Sequence, residues 1–189
     1  MITVDGDTST NDTVMILANG KAGNDVIDAH HPEKHKFIKA LKEVNQNLAI
    51  AIVRDGEGAT KLIEVITEGF ASQADARIAA KSILNSNLVK TAIFGEDGNW
   101  GRMICSLGYS GAEFDLADVE LDLGNSQGQM MRVLEAGLPM KYNEEKLADI
   151  LTDSHILIHV TAGVGSFSAR GWGCDLSYDY VKINGSYRS

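Results

Sequence analysis

Two prolines and two cysteines in 189 residues leave this chain without the material for a disulfide framework and with few enforced backbone breaks. Cys105 and Cys174 stand far apart, with no Cys-x-x-Cys spacing and no neighbouring histidine, so neither a zinc site nor a disulfide framework is expected, and two free, buried thiols are. Long apolar runs are also missing: no stretch approaches the roughly 18 consecutive apolar residues of a membrane helix. Residues 1 to 12 are acidic and polar, unlike a secretory signal, so the expectation is a cytoplasmic protein with no membrane partner. Positive charge is the last deficit. Lys and Arg number 17 against 26 Asp and Glu, a formal net charge of -9, and no basic cluster is present that could release counterions from nucleic acid.

What the chain does have is 44% hydrophobic and 23% charged residues, the balance of a globular protein able to bury a core. It contains no repeat or low-complexity tract. Ile2 to Thr13 is dense in hydroxyls and carboxylates, the chemistry of turns and helix caps, and leads to the apolar run Val14 to Ala18, read as a short helix stopped by Asn19-Gly20. Pro32 suits a helix start, and Phe37, Leu41, Val44, Leu48 and Ile52 recur at helical spacing, with Leu48 to Val53 apolar on nearly every side and therefore expected to be buried all round before Asp55-Gly56 ends the helix.

Thr60 to Phe70 is rich in β-branched residues and reads as a strand with Ile63, Val65 and Thr67 on one face and Leu62, Glu64 and Ile66 on the other. Ser72 with Asp75 opens a helix whose inner face is Ala76, Ala79, Ala80 and Ile83. Leu88 to Phe94 reads as a strand, Asn99 as the cap of a helix reaching about Gly108, and Val119 to Leu123 with Met130 to Leu134 as a hairpin. A short helix over Glu144 to Leu151 and a strand over His155 to Thr161 follow. Then come a glycine-rich loop, Gly163 to Gly173, and a last helix, Leu176 to Ile183, capped by Asp175 and ended by Asn184-Gly185. The fold class is mixed α/β.

Most candidate sites have plain structural readings. Gly163-Val164-Gly165 follows a strand, but Ser168 occupies the place of the third glycine of a dinucleotide fingerprint. His31 and His35 would share a helix face only if the helix began early, and His155 and His159 lack a ligand pattern around them, so no metal site is assigned. Asp5, Asp7 and Asp12 lack the order of a calcium loop, and Ser166 and Ser168 lack a nucleophile elbow. Glu57, alone between Gly56 and Gly58, is a turn residue by position or a side chain presented to a cleft. Asn184 reads as a helix C-cap and Ser189 as a chain terminus.

Several blocks taken in order carry more. The opening run through Asn19-Gly20, Glu57-Gly58-Ala59-Thr60-Lys61, Leu88 to Gly95, Asn99-Trp100-Gly101-Arg102, Trp172-Gly173-Cys174-Asp175-Leu176 and Tyr178 to Asn184 together resemble the ornithine acetyltransferase (glutamate N-acetyltransferase) family across essentially the whole chain. The resemblance implies a self-processing, N-terminal-nucleophile-like acetyltransferase fold. In that family a precursor cleaves itself before a threonine to give an α and a β chain, and the new N-terminal Thr carries the acetyl group. The implied reaction is ping-pong transfer from N2-acetylornithine to glutamate, with acetyl-CoA a possible substrate and no cofactor.

Mapped residue by residue, the resemblance makes Glu57, Asn184 and Ser189 substrate-binding, with Ser189 standing where many relatives have Thr. Arg170 departs from the small or hydroxyl residues usual in its loop. The opening run is internal to the family's chain, so the threonine nucleophile is expected upstream of Met1 and no catalytic residue is assigned here. Expected partners are the α chain of the same precursor and a second αβ unit, forming a heterotetramer. Residues 1–55 are expected to belong to the catalytic lobe and 56–189 to a C-terminal α/β domain whose last helix and tail return to the active site. Alone, the chain is expected to be inactive. Competing readings are a non-catalytic truncated product and a self-processing aminopeptidase or amidase of similar fold.

Overall fold

The computed structural model describes residues 1–186, so the expectation for Ser189 lies outside the described residues. Strands β1 (Ile2–Thr3), β2 (Leu62–Phe70), β3 (Val119–Asn125), β4 (Met130–Glu135), β5 (Leu138–Pro139), β6 (His155–Ala162) and β7 (Phe167–Cys174) form one mixed sheet in the order β1-β7-β2-β6-β3-β4-β5. Six α-helices accompany them among the described residues: α1 (Lys34–Arg54), α2 (Gln73–Asn85), α3 (Asn87–Phe94), α4 (Trp100–Gly108), α5 (Glu144–Leu151) and α6 (Tyr178–Ser186). The mixed α/β expectation is met.

Period-two patterning sets the faces of the sheet. Ile63, Val65, Val119, Leu121, Leu123, Ile156, Ile158 and Val160 are buried in one cluster with the helices α2 to α5. The N-cap Ser72 accepts from the Asp75 backbone N–H, and the inner face of α2 is the expected Ala76, Ala79, Ala80 and Ile83, all fully buried. Asn99 caps α4 through the Arg102 N–H, and β3 and β4 pair as the expected hairpin.

The glycine-rich segment expected as a loop is largely a strand. Strands β6 and β7 lie on either side of β2, parallel and antiparallel to it, so residues 163–166 step across the end of β2. Backbone must meet backbone there: a Cβ on Gly69 would sit 2.2 Å from the Gly163 carbonyl oxygen. Within β7, Cβ atoms on Gly171 and Gly173 would approach Leu84 of α2 to 2.9 and 3.0 Å, so the glycines serve close helix-to-strand packing.

Leu88 to Phe94 is helical, not a strand. Ser86 caps it by accepting from the Val89 N–H, and Val89, Ala92 and Ile93 recur at helical spacing toward the core; seven apolar-rich residues do not separate the two periods by themselves.

Two expectations fail at the opposite end. Ser9 accepts from the Asn11 and Asp12 N–H groups as a cap would, but no helix follows: Val14 to Leu17 have no regular structure and are exposed, Leu17 by 94%. A five-residue apolar run cannot sustain a helix without a surface to pack on. Helix α1 forms, but Val53 is its one buried residue, while Leu48 is 58% and Ile52 47% exposed. Its C-terminal turn packs with Leu62, Trp172 and Cys174 on the second face of the sheet, beside Ile2, Val4 and its own Ile50; Phe37, Val44, Leu48 and Ile52 of its apolar stripe stay exposed.

Candidate functional site

Three segments distant in sequence converge at the edge of the sheet where α1 ends. The turn after α1 carries Glu57, the opening segment carries Asp5, and α6 carries Tyr180 and Asn184. Asn184 Nδ2 donates to Glu57 Oε2 at 2.7 Å and to the Tyr180 carbonyl at 3.1 Å. Both N–H groups of the amide are thereby used, leaving its oxygen and the second Glu57 oxygen as acceptors. The Tyr180 hydroxyl donates to Asp5 Oδ2 at 3.0 Å, while Asp5 Oδ1 accepts from the Asp7 N–H.

Burial, the hydrogen bond to Asp5 and the charges of Asp5, Asp7 and Glu57 push the Tyr180 phenol up to about 12, so it remains a neutral donor. The carboxylates of Asp5, Asp7 and Glu57 around it make the local potential negative. A site of carboxylates and amide oxygens with that potential is suited to an ammonium group.

The turn itself is fixed from below. Asp175 does not cap α6 as expected. Its carboxylate accepts from the backbone N–H groups of Thr60 and Lys61 at 2.8 and 2.9 Å, and from the Thr60 hydroxyl. Ser177 takes the place at the start of α6, accepting from the Tyr180 N–H at 3.3 Å and donating to the Gly58 carbonyl at 2.6 Å. Gly58 has φ 65°, and a Cβ there would stand 2.6 Å from the Tyr180 nitrogen, so glycine is what lets the turn touch the helix. Lys90, fully buried, donates to the carbonyls of Val4 and Cys174. Burial pulls its ammonium below the usual lysine range, against the opposing influence of Cys174, Asp175 and Asp5.

Of the residues expected at the site, Glu57 and Asn184 are brought into direct contact. Asn184 lies inside α6 and is not its C-cap. Asp175, Ser177, Tyr180 and Lys90 were not legible as site residues; the one available signal was a lysine standing in the apolar run Leu88 to Phe94.

The remaining candidates lie elsewhere. His155 Nε2 is 2.8 Å from Glu64, which also accepts from Arg170, and His159 Nε2 is 3.2 Å from Glu68, all on the second sheet face. Arg170 thus pairs across strands and lies 5.5 Å over the Trp172 ring, which accounts for a large charged side chain at that position. His31 and His35 make local contacts with the Glu33 N–H and the Pro32 carbonyl. No helix of the described residues is long and apolar enough to cross a membrane.

The model of the ArgJ family matches residues 1–189. The chain is 53% identical over 189 residues to the arginine biosynthesis bifunctional protein ArgJ of Caldanaerobacter subterraneus, covering all of this chain and 47% of that protein. It is 50% identical to ArgJ 1 of Clostridium acetobutylicum, again over its whole length and 46% of the relative. The chain therefore spans about half the length of the curated relatives it matches. A crystal structure of the Bacillus halodurans arginine biosynthesis bifunctional protein superposes with a TM-score of 0.90 at 45% identity, covering 98% of this chain and 85% of that one. With the family model matched from end to end, this chain belongs to the ArgJ family.

Proposed function

We propose that this chain is the β-chain portion of an ornithine acetyltransferase, moving an acetyl group from N2-acetylornithine to glutamate, with acetyl-CoA as an additional donor in a bifunctional enzyme. The observation that carries the reading is the Glu57–Asn184 contact: two residues 127 positions apart, each matching a substrate-binding position of the family, form one acceptor-rich site. That site suits the ammonium of ornithine or of glutamate.

The nucleophile belongs to the part of the relatives that this chain does not span. Its threonine hydroxyl attacks the acetyl carbonyl, the C–N bond to ornithine breaks, and the departing amine takes a proton. The glutamate amine then attacks the acetyl ester, giving N-acetylglutamate and restoring the hydroxyl. Glu57 and Asn184 hold and orient the amine-bearing substrate for both halves.

A division of the precursor into two chains is supported by lengths. The crystallised Bacillus halodurans chain is matched over 85% of its length and the curated relatives over 46 and 47%, so that chain is about half as long as they are. The uncovered stripe of α1 and the exposed run Val14 to Leu17 are the surface on which the other half packs.

In the complete enzyme, Glu57→Gln should lower kcat/KM for acetylornithine by about 10-fold or more, the loss of one charged hydrogen bond. Unchanged kinetics would overturn the reading.

A further inference from the structure

We infer that Asp175 is a positioning residue for the Glu57–Asn184 pair, setting the geometry in which the substrate ammonium is held; the inference rests on the substrate-binding reading of that pair.

Asp175 is 3% exposed and stands at the root of both arms of the site. Along one arm, its carboxylate holds the N–H groups of Thr60 and Lys61 and the Thr60 hydroxyl, three residues from Glu57. Along the other, the chain runs directly through Ser177 into α6 and Asn184. The Asp175 N–H donates to the Lys61 carbonyl at 3.2 Å, closing the clamp from the backbone side. A buried carboxylate with three short donors has one low-energy placement, because each lost donor would leave charge unsolvated. Glu57, by contrast, is exposed; it meets Asn184 directly, from a turn that Asp175 and Ser177 together fix.

A clamp of this kind acts on orientation. A shift of about 1 Å in a group that orders the reacting substrate costs about 100-fold in rate, whereas stability responds to the lost hydrogen bond alone. Asp175 itself lies under the turn, with both carboxylate oxygens occupied by protein donors, so it does not touch substrate.

The experiment uses the complete, processed enzyme with three variants: Asp175→Asn, Thr60→Val and Glu57→Gln. Thr60→Val removes one donor to the clamp but keeps the carboxylate and its two backbone donors, so it tests the clamp even where Asp175→Asn does not fold. Both clamp variants should lower kcat/KM for acetylornithine, Asp175→Asn by about 10-fold or more and Thr60→Val by less. Each combined with Glu57→Gln should be little worse than Glu57→Gln alone, the non-additivity expected of residues acting through one group. Losses that multiply with that of Glu57→Gln, or clamp variants with wild-type kcat/KM, overturn the inference and leave the reading of Glu57 intact. A Glu57→Gln enzyme with normal kinetics overturns the underlying reading.

Discussion

The Lys90 ammonium lies 2.6 Å from the carbonyl oxygen of Val4, 86 positions away, and the same ammonium reaches the carbonyl of Cys174. A cation buried among carbonyls secures the opening segment against the strand that leads to α6. Replacing Lys90 by Met leaves those two carbonyls without their donor and should destabilise the complete enzyme by about 1–3 kcal/mol. Chemical denaturation checks the magnitude, and an unchanged midpoint would show that solvent already satisfies both carbonyls.

Glu64 supplies the acid dependence. Burial pushes its carboxyl up, but the hydrogen bonds from His155 and Arg170 together with their charges outweigh burial, and the net displacement is below the usual glutamate range. A carboxyl held low in the folded state stabilises above its unfolded pKa, about 4.3, and that stability is lost as pH falls through the folded value. Glu64→Gln should therefore lower the melting temperature at pH 7, with the difference from wild type shrinking as pH falls below about 4. Melting curves from pH 7 to 3 test this; a constant difference would contradict it.

Gly58→Ala meets two obstacles together. The residue has φ 65°, and the added methyl would lie 2.6 Å from the Tyr180 nitrogen. The left-handed conformation alone costs an alanine roughly 1–2 kcal/mol, and the steric contact pushes α6 from the turn. Faster proteolysis within 176–186 and a raised KM for acetylornithine are the expected outcomes. Wild-type values for both would mean that the turn can move without consequence.

The apolar stripe of α1 predicts assembly. Val44 and Leu48, 53% and 58% exposed here, should be covered in the complete enzyme. Val44→Glu combined with Leu48→Glu places two charges in that interface and should abolish co-purification of the two halves. Retention of a normal complex would place the interface elsewhere.

Local chemistry decided much of this fold. The capped α2 with its alanine face, the Asn99-capped α4, the β3–β4 hairpin and the alternation of β6 each follow from interactions within a few residues. Expectations failed where the deciding partner was remote. The core that covers Val89, Ala92 and Ile93 made Leu88 to Phe94 helical, and the crossing over β2 turned the glycine-rich segment into a turn and a strand. Val14 to Ala18 stayed irregular because no apolar surface of the described residues covers it.

The sequence by itself determined membership of a family, the identity of Glu57 and Asn184 as candidate binding residues and the positions of most strands and helices. Those properties reside in residue order and short-range periodicity. Tertiary structure alone decided that Glu57 and Asn184 touch, that Asp175 serves the turn and not the helix cap, and that Lys90 is buried against the carbonyls of Val4 and Cys174. Contacts over 86 to 127 positions depend on how the strands are ordered in the sheet, which no local pattern encodes.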